Sequence, residues 1–113
     1  MVLVCVDKQA ETARIIARHG SFGVSILASG QESISNACAR KGTPESSLDG
    51  VDYCVGSLGL PLLTGCLASF ECRTMHEYDG GDHIIFAGQV ESGSVGEASE
   101  PLLYFRGAYG AFT

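Results

Sequence analysis

The segment Asp79-Gly80-Gly81 stands between two extended runs and does most to limit the folds open to this chain. Upstream, from Cys66, the residues Ala68, Phe70 and Cys72 alternate with Ser69, Glu71 and Arg73, the period of two of a half-buried strand. Downstream, residues 83–90 alternate short and bulky side chains in a second strand. A glycine pair between two such runs reverses the backbone and predicts a long antiparallel hairpin. Asp82 and His83 enter the second strand directly from this turn. A charged pair at the mouth of an apolar strand is costly unless something uses it.

Residues 2–6 form a short β-branched and apolar run, read as a buried strand. Residues 8–19 place Ala13, Ile16 and Ala17 at helical spacing and stop at Gly20, a C-terminal helix signal. Residues 22–27 read as a strand. Ser29 and Glu32 then match a capping box for a helix running to Arg40 or Lys41 and ending at Gly42. Residues 43–50 read as a loop, residues 51–54 and 62–63 as short extended pieces, residues 92–99 as a polar loop and residues 102–106 as the last strand. The pattern predicts an α+β, mainly β fold, with antiparallel strands in a barrel-like sheet flanked by two short helices.

The chain has 113 residues, room for one domain at most, and 45% of them are hydrophobic, enough for a core. Its net charge of −6, with no basic run, argues against nucleic acid as a partner. No apolar run reaches the roughly 18 residues of a membrane span, so no membrane partner is expected, and no secretory signal is visible. The five cysteines share no paired spacing; Cys5, Cys66 and Cys72 read as small buried hydrophobes, and a reduced, cytoplasmic setting is expected.

Gly81-Asp82-His83 followed by Ile84-Ile85-Phe86-Ala87-Gly88-Gln89-Val90 resembles the Gly-Asp-His motif of the short-chain flavin reductases, the reductase components of two-component flavin monooxygenases. The resemblance extends from the opening Val2-Leu3-Val4-Cys5-Val6-Asp7 to the closing Leu103-Tyr104-Phe105-Arg106-Gly107-Ala108-Tyr109. It implies a split β-barrel that dimerises, FMN or FAD as the flavin, NADH or NADPH as hydride donor, and a flavin-dependent oxygenase component as partner. Relative to that family the chain starts inside the domain, which predicts a truncated barrel with an open sheet edge.

In such reductases the cofactors carry the reactivity and the protein places the rings. The resemblance assigns Val6, Asp7 and Lys8 to the flavin and Thr12 to its phosphate; the same residues also fit an ordinary strand-to-helix turn with Asp7 as cap. His83 is assigned to the nicotinamide and the flavin ring, and Asp82 to orienting the turn or His83; a strand-end histidine with one structural hydrogen bond is the plainer reading. Tyr104 and Phe105 would stack on a ring and Arg106 would pair with a dinucleotide phosphate, or they are core aromatics beside a solvated Arg. Where the family carries a basic and an aromatic residue near the end of the second helix, this chain reads Ala37-Cys38-Ala39, with Arg40 and Lys41 beyond.

His76, Glu77, Asp79, Asp82 and His83 lack the spacing of a zinc or calcium loop, so no metal is assigned. Nucleophile-elbow, dinucleotide-fold and phosphate-loop glycine patterns are absent. Two function classes remain: an NAD(P)H-dependent flavin reductase, and a truncated, non-catalytic relative that binds flavin or dimerises.

Overall fold

The computed structural model describes residues 1–39 and 48–112. β1 (Val2–Asp7) leads to helix α1 (Glu11–His19), β2 (Ser21–Ile26) and helix α2 (Glu32–Ala39). A short hairpin of β3 (Tyr53–Val55) and β4 (Pro61–Leu63) precedes the long hairpin of β5 (Ala68–Gly80) and β6 (His83–Val95). β7 (Leu103–Phe105) and β8 (Ala108–Gly110) form a third hairpin. The long hairpin is the middle of an antiparallel sheet with the order β1-β6-β5-β2. Among the described residues the strands form three separate sheets that do not close into a barrel, so the fold is mainly β with two helices. No described helix is long and apolar enough to cross a membrane.

The core lies where α1 covers one face of the sheet. Ile16 packs with Phe22, Cys72 and Phe86, flanked by Val2, Val4, Val6, Val24, Phe70 and Ile84. Gly88 sits at the centre of this packing. A β-carbon there would lie 2.5 Å from Cζ of Phe22 and 2.7 Å from Cβ of Cys72. The bare backbone is what lets these side chains close over β6.

The hairpin turn is tighter than its glycines imply. Gly80 pairs with His83, which leaves a two-residue loop of Gly81 and Asp82, with Gly81 at φ 83° as its first position requires. Helix α1 starts at Glu11 instead of Lys8 because Asp7 organises a turn first: its Oδ1 accepts from the Gln9 N–H at 2.8 Å and its carbonyl from the Ala10 N–H at 3.0 Å. It ends at Gly20 in the left-handed conformation, as read from the sequence.

The capping box at Ser29 does not form. Ser29 bridges back to Glu100 through its N–H at 2.8 Å, and helix α2 begins after Gln31. The Gln31 side chain accepts from the Ala28 N–H at 2.8 Å and donates to the Thr64 carbonyl at 3.1 Å. The expected end of this helix at Arg40, Lys41 and Gly42, and most of the following loop, lie outside the described residues.

Three further expectations change. Cys5 is exposed, whereas Cys66 and Cys72 are buried. Ser69 and Glu71, read as outward-facing, are buried because the β3–β4 hairpin covers that side of β5. The polar loop expected from residue 92 is largely strand, since Ser92, Gly93 and Ser94 pair with Glu71, Phe70 and Ser69.

Candidate functional site

The register of β1 on β6 decides which chemistry-bearing residues meet. It sets Asp7 opposite His83 and Val6 opposite Ile84, so the end of β1 lies beside the hairpin tip. The Lys8 N–H donates to the Asp82 carbonyl at 3.0 Å, and Lys8 Nζ donates to Asp79 Oδ1 at 2.7 Å. The same carboxylate oxygen accepts from the Gly81 N–H at 2.9 Å. Asp7, Lys8, Asp82 and His83, which the sequence reading assigns to flavin or nicotinamide, are thus brought together, and Asp79 joins them. Val6 half-buries its side chain against the core instead of opening toward the tip.

His83 Nδ1 lies 2.9 Å from Asp82 Oδ1. The hydrogen bond from His83, reinforced by its charge when protonated, holds the Asp82 carboxyl below its ordinary value. The hydrogen bond from Lys8, then that from Gly81 and the Lys8 charge, does the same for Asp79. An ionised carboxylate only accepts, so Nδ1 of His83 must donate. In the neutral ring Nε2 is then an acceptor, on a side chain that remains 41% exposed. The tip therefore offers a ligand one oriented acceptor beside a lysine ammonium already held by Asp79.

Thr12 lies in the first turn of α1, exposed. That turn has no side-chain cap hydrogen bond, and its acidic Glu11 is bonded by Arg14 at 3.0 Å. Tyr104, Phe105 and Arg106 sit apart on the β7–β8 hairpin. This hairpin is tied to the opposite end of β2: the Leu102 N–H donates to the Leu27 carbonyl at 3.0 Å, and Ala28 bridges Pro101. The Tyr109 hydroxyl lies 2.8 Å from Ser35 Oγ and 3.0 Å from Asn36 Oδ1 of α2. Tyr104 meets Tyr109 edge to face, and the Arg106 guanidinium lies over the Phe105 ring at 5.2 Å. Both Tyr104 and Phe105 are largely exposed, so they are not core aromatics. No hydrogen bond or ion pair among the described residues joins them to the hairpin tip.

Arg106 does not continue a strand. It occupies the turn with φ 52°, followed by Gly107 at 78°. The sequence reading also missed Glu71, a wholly buried carboxylate; its only signal was a strand Glu between Phe70 and Cys72, preceded by the glycine-rich segment 56–59. Among the described residues, no three His, Cys, Asp or Glu side chains gather as metal ligands.

The sequence matches the family described as flavin reductase like domain over residues 1–113. It is 39% identical over 110 residues to the reductase subunit HsaB of a flavin-dependent monooxygenase from Rhodococcus jostii, covering 96% of this chain and 55% of that protein. An NADH-dependent FAD reductase from Streptomyces globisporus is 35% identical over 115 residues, covering 99% of this chain and 63% of that protein. The solved structure of the NADH:FAD oxidoreductase SgcE6 of Streptomyces globisporus superposes with a TM-score of 0.92 at 34% identity, over 98% of this chain and 68% of that one. The same oxidoreductase in complex with NAD and FAD fragments gives a TM-score of 0.91 at 34% identity, over 98% of this chain and 67% of that one. The chain thus spans less than two thirds of the length of these curated relatives.

Proposed function

The chain belongs to the flavin reductase-like domain family, and from that premise we propose that it serves the NAD(P)H-dependent reduction of free FMN or FAD, delivering reduced flavin to a partner monooxygenase. The observation that carries this reading is the Asp82–His83 pair at 2.9 Å, which presents an oriented, half-exposed acceptor at the end of an apolar strand. The nicotinamide supplies the hydride and the flavin ring accepts it. The donor set suits both groups. His83 Nε2 accepts an N–H of the nicotinamide carboxamide, and Asp82 fixes the ring that does so. Asp7 and Lys8, with the backbone of Val6, line the flavin side, and Thr12 gives a hydroxyl and helix N-terminal N–H groups to the flavin phosphate. Tyr104 and Phe105 offer exposed ring faces, and Arg106 a guanidinium for a dinucleotide phosphate.

The reductase works as a homodimer in the cytoplasm in this reading. Its support is the sheet itself: β1 and β2 are both edges, and the apolar Leu3 and Ile26 on them are exposed. Light scattering on a sized fraction tests the dimer, and a well-folded monomer at micromolar concentration removes it.

The reaction is tested by following NADH absorbance with the purified chain and FMN or FAD, alongside quenching of flavin fluorescence. Micromolar flavin affinity, about −8 kcal/mol, is expected. A folded chain that quenches no flavin at millimolar concentration and oxidises no NADH overturns the proposal.

A further inference from the structure

Far from the hairpin tip, one ionisable side chain is buried more completely than any group there. Glu71 of β5 exposes no surface, and no cation pairs with it among the described residues. Its Oε2 accepts the N–H groups of Leu58 at 2.9 Å and Leu60 at 3.2 Å. Its Oε1 accepts the hydroxyls of Ser92 at 3.0 Å and Ser57 at 3.3 Å. These donors fill the acceptor positions of a carboxylate. The segment 56–60 is the turn between β3 and β4, closed by the Gly56 N–H on the Leu60 carbonyl at 2.9 Å. A β-carbon at Gly56 would overlap the Glu71 carboxylate. The turn is therefore wrapped around an anion that the chain itself provides.

We propose that Glu71 is an acid-sensitive latch: its carboxylate holds the turn at 56–60, and with it the β3–β4 hairpin, against the central sheet, and its protonation releases that turn. A protonated carboxyl must donate where it had accepted, and hydrogen bonds to a charged group are roughly twice as strong as neutral ones. Burial pushes the Glu71 carboxyl up, but the hydrogen bonds from Leu60, Ser92, Leu58 and Ser57 outweigh it and leave it below its ordinary value. The latch is thus fully engaged above the ordinary carboxylate range and weakens as pH falls toward the lower folded value.

Little else near Glu71 titrates. β2 brings Gly23 opposite it, β6 brings Ser92, and the turn brings Ser57. Arg73 and Glu91, next along the two strands, bond each other at 3.2 Å, and burial pushes the Cys72 thiol up, keeping it neutral. The turn runs straight into β4, whose Pro61 and Leu63 line, together with Ser25 and Ile34, a groove of about 300 Å³. The Leu63 N–H donates to Ser25 Oγ at 3.1 Å, so the latch sets the position of one groove wall.

The test is amide hydrogen exchange on the full chain across the acid range, read as protection factors. Between the ordinary and the folded carboxyl values, protection at Leu58 and Leu60 should fall by about tenfold per pH unit. The Cys72 and Phe86 amides of the central sheet should stay protected. Glu71→Gln should show low, pH-independent protection at Leu58 and Leu60. Ser92→Ala keeps the charge and removes one donor, so its fall should span a narrower pH range. Wild-type protection that stays flat while the sheet is intact, or a Ser92→Ala profile identical to wild type, overturns the latch.

Discussion

The imidazole of His83 is fixed by its sequence neighbour, with Nδ1 at 2.9 Å from Asp82 Oδ1. Asp82 is itself 89% exposed, so its contribution is orientation and choice of tautomer more than burial. Asp82→Asn removes the acceptor-only partner and lets the neutral ring carry its proton on either nitrogen. If the proposed reaction holds, kcat for NADH oxidation should fall while flavin quenching stays unchanged. A variant with wild-type kcat would reduce Asp82 to a turn residue.

His83→Ala should fall further in the same direction. If His83 places the donor ring as proposed, its loss should lower NADH oxidation at saturating flavin by on the order of 100-fold, the effect of about 1 Å of misplacement. The flavin dissociation constant should hardly move, because this reading gives the flavin to Val6, Asp7, Lys8 and Thr12. Equal losses of flavin affinity and turnover would instead mean that His83 holds the tip together.

The tip carboxylates also define a pH signature. Asp79 is held down first by the Lys8 hydrogen bond and Asp82 first by that from His83. Each stabilises the folded tip fully above its unfolded value, and that contribution is lost as pH falls toward the lower folded value. Carboxyl NMR titrations should show both midpoints below those of unfolded peptides. Lys8→Met should raise the Asp79 midpoint and leave that of Asp82 nearly in place. Added salt should shrink both shifts, since the groups are exposed.

In the core, Gly88→Ala should destabilise by about 1–3 kcal/mol, because the new methyl has to displace Phe22 and Cys72. Gly110→Ala is the control: a β-carbon there meets nothing within 4 Å, and a change within about 0.5 kcal/mol is expected. Denaturant midpoints at constant slope measure both.

The long hairpin was legible because period-two runs flank a glycine pair, and α1 because Ala13 and Ile16 share one face and Gly20 ends it. What could not be read was whatever depends on distant partners. Alternation places Glu71 opposite Phe70, but only the turn at 56–60 makes that second side an interior. Ser92, Gly93 and Ser94 look like a loop because their polarity carries no strand signal; the ladder to β5 makes them strand. The meeting of Asp7 and Lys8 with Asp82 and His83 is set by the β1–β6 register, which no local pattern encodes. The resemblance to a family pointed there, whereas spacing alone did not. Arg106 was read as strand because the run before it is apolar and aromatic, yet the chain reverses at Arg106 and Gly107.

That reversal gives Arg106 a structural role separable from its proposed one in binding. With Phe105 paired to Ala108, the two-residue turn here has left-handed backbone at both central positions, Arg106 at φ 52° and Gly107 at 78°. A residue with a long side chain pays about 1–2 kcal/mol there, and its contact with the Phe105 ring returns about 0.5–1 kcal/mol at an exposed site. Asn tolerates this conformation and makes the favoured Asn-Gly turn, so Arg106→Asn relieves the first term and loses the second. The unfolding midpoint should therefore stay at or rise somewhat above wild type. Binding should respond differently: if the guanidinium holds a dinucleotide phosphate, its removal discards a charge-assisted bond of about 1.5–3 kcal/mol. KM for NADH should then rise about tenfold or more with kcat preserved, as expected when an interaction equal in ground and transition states is lost. An unchanged KM in a folded Arg106→Asn chain would confine Arg106 to the turn and place the dinucleotide elsewhere.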